Sequence, residues 1–288
     1  MKTTMTLQFI IFLLLCVCFI NTALAKTTIP IAIIQEELDQ WLEFKTRIDI
    51  PINQIQSLDK EKSRIVANLV ILNQAFHAAQ ADIKFDFIIA PNHKRAISMV
   101  ANGNALMIGS DLFLNVLPKN LHISTAIIEE GGLTKVILGL SSNKQLMSVK
   151  TLEDLQQLSA VSLKNWKTDW SVLTSLQLNE LHSVNKFKQV YDLITKRGID
   201  FTLSDMLKSN TGSFQKDGKT MSILQGYKIK MPGSRHFVVS KVHPLGDEVS
   251  ILLEQGLSIL REEGKLKTYM QDIGILSKKM ENWITLNE

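Results

Sequence analysis

Cysteine is almost missing from this 288-residue chain. There are two, Cys16 and Cys18, and both fall inside the first apolar stretch. No disulfide framework is available beyond that stretch, so the fold has to rest on its core. Hydrophobic runs long enough to cross a membrane are missing as well. The run at the N-terminus, Phe9 to Ile20, has 12 residues, short of the roughly 20 that a spanning helix needs. Charge of a single sign is also missing: 32 Lys and Arg stand against 28 Asp and Glu, for a formal net charge of +4. No basic block interleaved with aromatics occurs, which argues against a nucleic-acid partner. The chain has no G-x-S-x-G elbow, no P-loop and no G-x-G-x-x-G, so no catalytic residue and no cofactor is expected. None of the histidines, His77, His93, His122, His182, His236 and His243, pairs with another at metal-ligand spacing, so no metal is expected.

What the N-terminus does hold is a basic Lys2, the apolar run, and Ala23-Leu24-Ala25. These are the three parts of a cleavable secretory signal, which predicts removal of residues 1–25 and export. Leu15 and Val17 precede the two cysteines, where a lipid-attachment site would carry a small residue. A freely diffusing protein, periplasmic in a two-membrane bacterium and monomeric, is the expectation.

Beyond the signal, short apolar strands alternate with amphipathic helices, the pattern of an α/β protein. Strands are expected over 28–34, 84–90, 105–109, 159–163 and 199–203, with extended segments over 121–128, 133–140, 227–231 and 236–240. Residues 35–58 read as polar and irregular. Helices are expected over 64–79, 93–102, 186–197, 246–263 and 266–273 from their apolar spacing. Another opens at the capping box Thr151-Leu152-Glu153-Asp154, and one over 169–176 has Thr168 as its cap. The polar stretch 210–217 reads as a surface loop.

In open α/β sheets, ligands sit beyond the carboxyl ends of the strands. That rule nominates Glu36 after the first strand, Ser110 and Asp111 after ALMIG, Asn165 and Trp166 after SAVSL, and Ser204 and Asp205 after IDFTL. Thr168 and Asp169 follow at the start of a helix, where backbone amides attract anions. Each nomination has a plainer alternative: Ser, Thr and Asp also favour turns and caps, and Trp166 can pack between lobes.

Five pieces carry a family resemblance through their order. They are the exported start, KFDFIIAPNHKRAISMVANGNALMIGS, KTLEDLQQLSAVSLKNWKTDWSVLTSLQL, KFKQVYDLITKRGIDFTLSD and HFVVSKVHPLGDEVSILLEQGLSILREEGKLKTYM. Together they resemble the bacterial periplasmic solute-binding proteins of the polar amino-acid type, in a branch with a W-x-D element, here Trp166-Lys167-Thr168-Asp169. The resemblance implies a two-lobed, type II periplasmic-binding-protein-like α/β fold. Residues 26–135 and 238–288 would form lobe one and 136–237 lobe two, with a two-strand hinge near Val136–Leu140 and Phe237–Lys241. It implies capture of a small polar solute for an ABC-type membrane permease. A sensor protein as partner, and less so a dehydratase-like activity, stay open as alternatives. Asp205 matches the acid that takes a ligand ammonium in this family. The arginine that grips the ligand carboxylate has no counterpart after ALMIG, where the sequence reads IGSDLFLNVLPKNLHIS.

Overall fold

The computed structural model describes residues 27–59, 61, 63–206 and 212–288. The signal expected over 1–25 lies outside the described residues. In chain order the helices are α1 (Gln35–Thr46), α2 (Arg64–Ala78), α3 (His93–Ala101), α4 (Lys144–Met147), α5 (Leu152–Gln156), α6 (Lys167–Ser175), α7 (Phe187–Arg197), α8 (Gly246–Glu262) and α9 (Lys265–Asp272). The strands are β1 (Thr27–Ile34), β2 (Ile83–Ala90), β3 (Met107–Ile108), β4 (Leu112–Phe113), β5 (Leu121–Ile123), β6 (Thr134–Leu140), β7 (Ser159–Leu163), β8 (Glu180–Val184), β9 (Phe201–Ser204), β10 (Ser213–Lys216), β11 (Lys219–Ile223), β12 (Tyr227–Lys230), β13 (Arg235–His236), β14 (Val238–Ser240) and β15 (Ile284–Thr285).

Two sheets organise two lobes. The first runs β2-β1-β3-β14-β5 and the second β10-β11-β6-β9-β7-β8, with β12 also on β6 and β15 on β12. Side chains alternate across a strand, and β1 uses this to serve two cores. Ile29, Ile31 and Ile33 pack with α2 and α8, while Ala32 faces the cluster that includes Ala96 and Val100 of α3. Helices therefore cover both faces of the first sheet. Helix α8 lies so close to α2 that a Cβ on Gly256 would sit 1.8 Å from the Ala75 carbonyl oxygen, so only glycine fits. In the second sheet, Val136, Leu138 and Val161 pack with Val190 and Ile194 of α7. Ile137, Ala160 and Phe201 pack with Leu146, Leu155 and Leu173 of α4 to α6 on the other face.

Two connecting segments link the sheets side by side. Ser124 N–H donates to the Phe237 oxygen (3.0 Å), Ile127 to Arg235 (2.7 Å), Arg235 to Ile128 (2.9 Å) and Met231 to Leu133 (2.9 Å). The crossover thus lies over 124–133 and 231–237, earlier in each segment than the sequence suggests. Val136–Leu140 and Val238–Ser240 are already committed to their own sheets, because β6 pairs β9 and β14 pairs β5.

The end of the chain crosses back. Met280 and Trp283 join the α7-side core of the second sheet, and β15 pairs in parallel with β12. Asn287 extends the pairing: its Oδ1 accepts from the Lys230 N–H (2.8 Å) and its Nδ2 donates to the Lys230 oxygen (3.0 Å). Residues 238–288, grouped by sequence with the first lobe, are therefore shared between the two sheets.

Three local expectations change. Residues 35–46 form α1 because Trp41 and Phe44, three apart on one face, are both buried and their rings lie 5.8 Å apart. The expected loop over 210–217 contains strand β10, closed onto β11 by Asp217 (φ 50°) and Gly218 (φ 71°), a two-residue turn with both central residues left-handed. Residues 207–211 lie outside the described residues. Helix α6 starts at Lys167 with Trp166 as its N-cap, so Thr168 is buried within the first turn rather than capping it.

Candidate functional site

The site is built where strands of both sheets end towards the lobe boundary. In the first lobe, β3 ends at Ile108 and the chain turns through Gly109 into Ser110 and Asp111. Ser110 Oγ donates to Glu37 Oε1 (2.6 Å), and His93 Nε2 lies 3.7 Å from the same oxygen. The acid that meets Ser110 is thus Glu37. Its neighbour Glu36, nominated from the sequence, is exposed on the first turn of α1.

Asp111 is fully buried. Arg235 grips it as a fork, with Nε donating to Oδ2 (2.5 Å) and Nη2 to Oδ1 (3.2 Å), while Nη2 also donates to the Asp111 backbone oxygen (2.6 Å). Asn68 Nδ2 donates to Oδ1 (2.8 Å). Arg64 Nε lies 3.4 Å from Oδ1 without hydrogen-bond alignment. Burial alone would raise the Asp111 pKa. The charges of Arg235 and Arg64 and the bonds from Arg235 and Asn68 outweigh it and hold the carboxyl well below the usual range. Burial and then the neighbouring Arg64 push Arg235 below its ordinary value, opposed by Asp111 and Asp205. The Arg235 guanidinium also lies 4.3 Å from the Phe113 ring centre, a cation–π contact.

In the second lobe, Val136 of β6 faces Ser204 of β9, so Lys135 sits at the strand edge that leads into Asp205. Lys135 Nζ pairs with Asp169 Oδ2 at 2.5 Å and stands 5.8 Å from the Trp166 ring centre. Asp169 is buried and already neutralised within the protein. Trp166 remains 40% exposed and leans on Phe187, itself 47% exposed, with ring centres 5.5 Å apart. Asn165 is exposed beside it and Thr168 is buried. Ser204 Oγ donates to the Asp205 backbone oxygen (3.1 Å). Asp205 Oδ1 is buried with no hydrogen-bond partner.

The nominated residues thus divide. Asp111 and Asp205 share one electrostatic neighbourhood, since their charges and that of Arg64 all act on Arg235, and Ser110 directly precedes Asp111 and bonds Glu37. Trp166 and Asp169 meet at Lys135 on the second lobe's edge, with Asn165 next to Trp166 in the chain. Arg64, Asn68 and Arg235 were not legible as site residues. One signal was present: Arg64 and Asn68 lie four apart in the first nine residues of a helix that are otherwise all apolar, and polar residues on such a face are uncommon. Among the described residues no group of three or more His, Cys, Asp or Glu is placed to hold a metal ion. No described helix is long and apolar enough to cross a membrane.

No family model matches the chain, and no curated protein matches it by sequence. Solved structures do. The second substrate-binding domain of GlnP from Lactococcus lactis, in open conformation, matches with TM-score 0.53 over 88% of this chain and 97% of that one, at 17% identity. The probable amino-acid ABC transporter extracellular-binding protein YtmK of Bacillus subtilis matches with TM-score 0.56 over 88% and 99%, at 11% identity. The chain has the two-lobed solute-binding-protein fold. An ancestral arginine-binding protein bound to arginine shares this fold with TM-score 0.52 over 85% of this chain and 97% of that one, at 12% identity. In the solute-binding fold the lobe boundary is the natural place for a small ligand, since pockets concentrate at domain interfaces and hinge closure buries their contents. The charged neighbourhood around Asp111 lies at that boundary.

Proposed function

We propose that this protein is exported, captures a small polar solute between its two lobes as a monomer, and presents the solute to a membrane permease complex. The observation that carries the reading is a pair of unsatisfied groups, one from each lobe. Asp205 Oδ1 of the second lobe and Nε and Nη2 of Arg64 in the first are buried without hydrogen-bond partners, and the charges of both residues act on Arg235 of the connecting segment. Buried polar groups are ordinarily paired, and a solute with a donor and an acceptor would satisfy both. The similar structures, one a substrate-binding domain, one a probable amino-acid transporter binding protein and one bound to arginine, support a small polar solute. Export rests on the signal over residues 1–25. We read the protein as a binder without catalysis, with Asp205 as the acceptor for a solute ammonium and Trp166 as a stacking wall.

A thermal-shift screen of the chain from Lys26 onward, against amino acids, organic acids and amines, tests this reading. One solute at about 100 times its dissociation constant should raise the melting temperature by about 5–10 °C. Asp205→Asn should remove most of that rise while the unliganded variant melts near the wild type. A flat response to every solute contradicts capture.

A further inference from the structure

Lysines and bare aromatic rings come together at the ends of two strands in the second lobe. Strands β7 and β8 pair in parallel with Leu163 opposite Val184, so the segments that follow them, 164–167 and 185–188, emerge side by side. Lys164 and Lys167 are exposed in the first, Lys186 and Lys188 in the second. Phe187 is 47% exposed and rests edge-on against Tyr191, with ring centres 5.0 Å apart. Its contact with Trp166 joins the two segments. Trp170, half-buried on the first turn of α6, has the Lys164 ammonium 5.8 Å from its ring centre. Little negative charge answers these four lysines. The one acid between Val161 and Gln177 is Asp169, buried and paired with Lys135, and between Leu181 and Tyr191 there is none. Asp192, next along α7, is bonded to Lys196 at 2.6 Å, with Lys188 acting on it more weakly.

We propose that this patch docks the protein on a membrane surface rich in anionic phospholipid. The composition favours lipid over a folded partner. Protein interfaces are enriched in arginine and depleted of lysine, whereas segments 164–167 and 185–188 hold four lysines and no arginine. Ammonium groups gain from the negative surface potential of an anionic bilayer. Aromatic rings gain at the headgroup level, where one side is apolar and the other wet. The lysines meet the phosphate layer, and Phe187 and Trp170 lie among the headgroups. The contact is reversible adhesion, in a chain where no described helix is long and apolar enough to cross a membrane. It does not depend on solute capture.

The test sediments the chain from Lys26 onward with vesicles of phosphatidylcholine alone and of phosphatidylcholine mixed with phosphatidylglycerol. Trp166, which also walls the solute site, is kept intact in every variant. The variants are Lys164→Gln with Lys167→Gln, Lys186→Gln with Lys188→Gln, and Phe187→Ser. Lys278→Gln with Lys279→Gln, exposed elsewhere on the chain, is the control. Folding is checked by circular dichroism. The protein should sediment with the mixed vesicles only, and added salt should release it. Each lysine near an anionic surface is worth about fivefold in partitioning, so each patch pair should weaken binding about 25-fold, and the control pair far less. Phe187→Ser should weaken it at least fivefold. Equal sedimentation with both kinds of vesicle, or none with either, overturns the docking surface. So does a loss in the control pair as large as in the patch pairs. Binding to native membranes that is absent from vesicles of their extracted lipids, and is lost in the lysine variants, assigns the patch to a membrane protein and overturns the lipid.

Discussion

At Asp111 a single buried carboxylate meets two arginines and an asparagine. Taking away its charge while Arg235 stays buried leaves a cation with no counter-charge, the costly way to break a buried pair. Asp111→Asn should therefore lower stability by about 3–5 kcal/mol, read from urea midpoints at constant slope. The pH dependence has a definite sign. The Asp111 pKa is lower folded than unfolded, so its contribution is complete above the ordinary value of 3.8 and is lost as pH falls below it. Urea unfolding at pH 7 and pH 3 should show a drop in the wild type that is smaller in Asp111→Asn; equal drops would contradict the pairing. Asp111 itself was legible, since it follows a strand end. Its main partner was not, because Arg235 is 124 positions away in the chain and no local pattern encodes so distant a contact. The same limit hid Lys135 as the partner of Asp169, and made the W-x-D stretch look more available to a ligand than it is.

At the scale of elements, spacing gave the long helices and the buried strands, and it failed where one signal masked another. Helix α1 carries so many acids and amides, QEELDQ, that they mask the spacing of its two buried aromatics. The Asp217-Gly218 turn sits in a polar run that reads as loop, although this dipeptide between alternating residues is a strong hairpin mark. Packing between elements is sharper than any propensity. Gly256 of α8 faces the Ala75 carbonyl at a distance no side chain tolerates, so Gly256→Ala should destabilise despite alanine's better helix propensity. A loss of about 1–3 kcal/mol is expected from such overpacking, and a gain would show that α2 and α8 are not in this contact. The C-terminal strand makes a second case. Deleting residues 284–288 removes the pairing with β12 and the double bond between Asn287 and the Lys230 backbone. A loss on the order of 1–2 kcal/mol is expected, and hydrogen exchange should quicken along β12.

For the whole molecule, the alternation of strands and helices foretold an α/β protein, and the family resemblance implied its two lobes. The position of the crossover was harder to read, since a connecting segment and a strand have the same extended, apolar look. Two segments bonded to one another join the lobes, and the C-terminal strand adds a third tie from α9 to the second sheet. Motion about these ties is what capture requires: unsatisfied groups on opposite lobes have to meet one solute. Small-angle X-ray scattering, with and without a saturating amount of the solute that raises the melting temperature most, tests this directly. The radius of gyration should fall when the solute is added, and should fall less with Asp205→Asn at the same concentration. Superimposable scattering curves from the free and saturated wild-type protein would contradict closure of the two lobes on a captured solute.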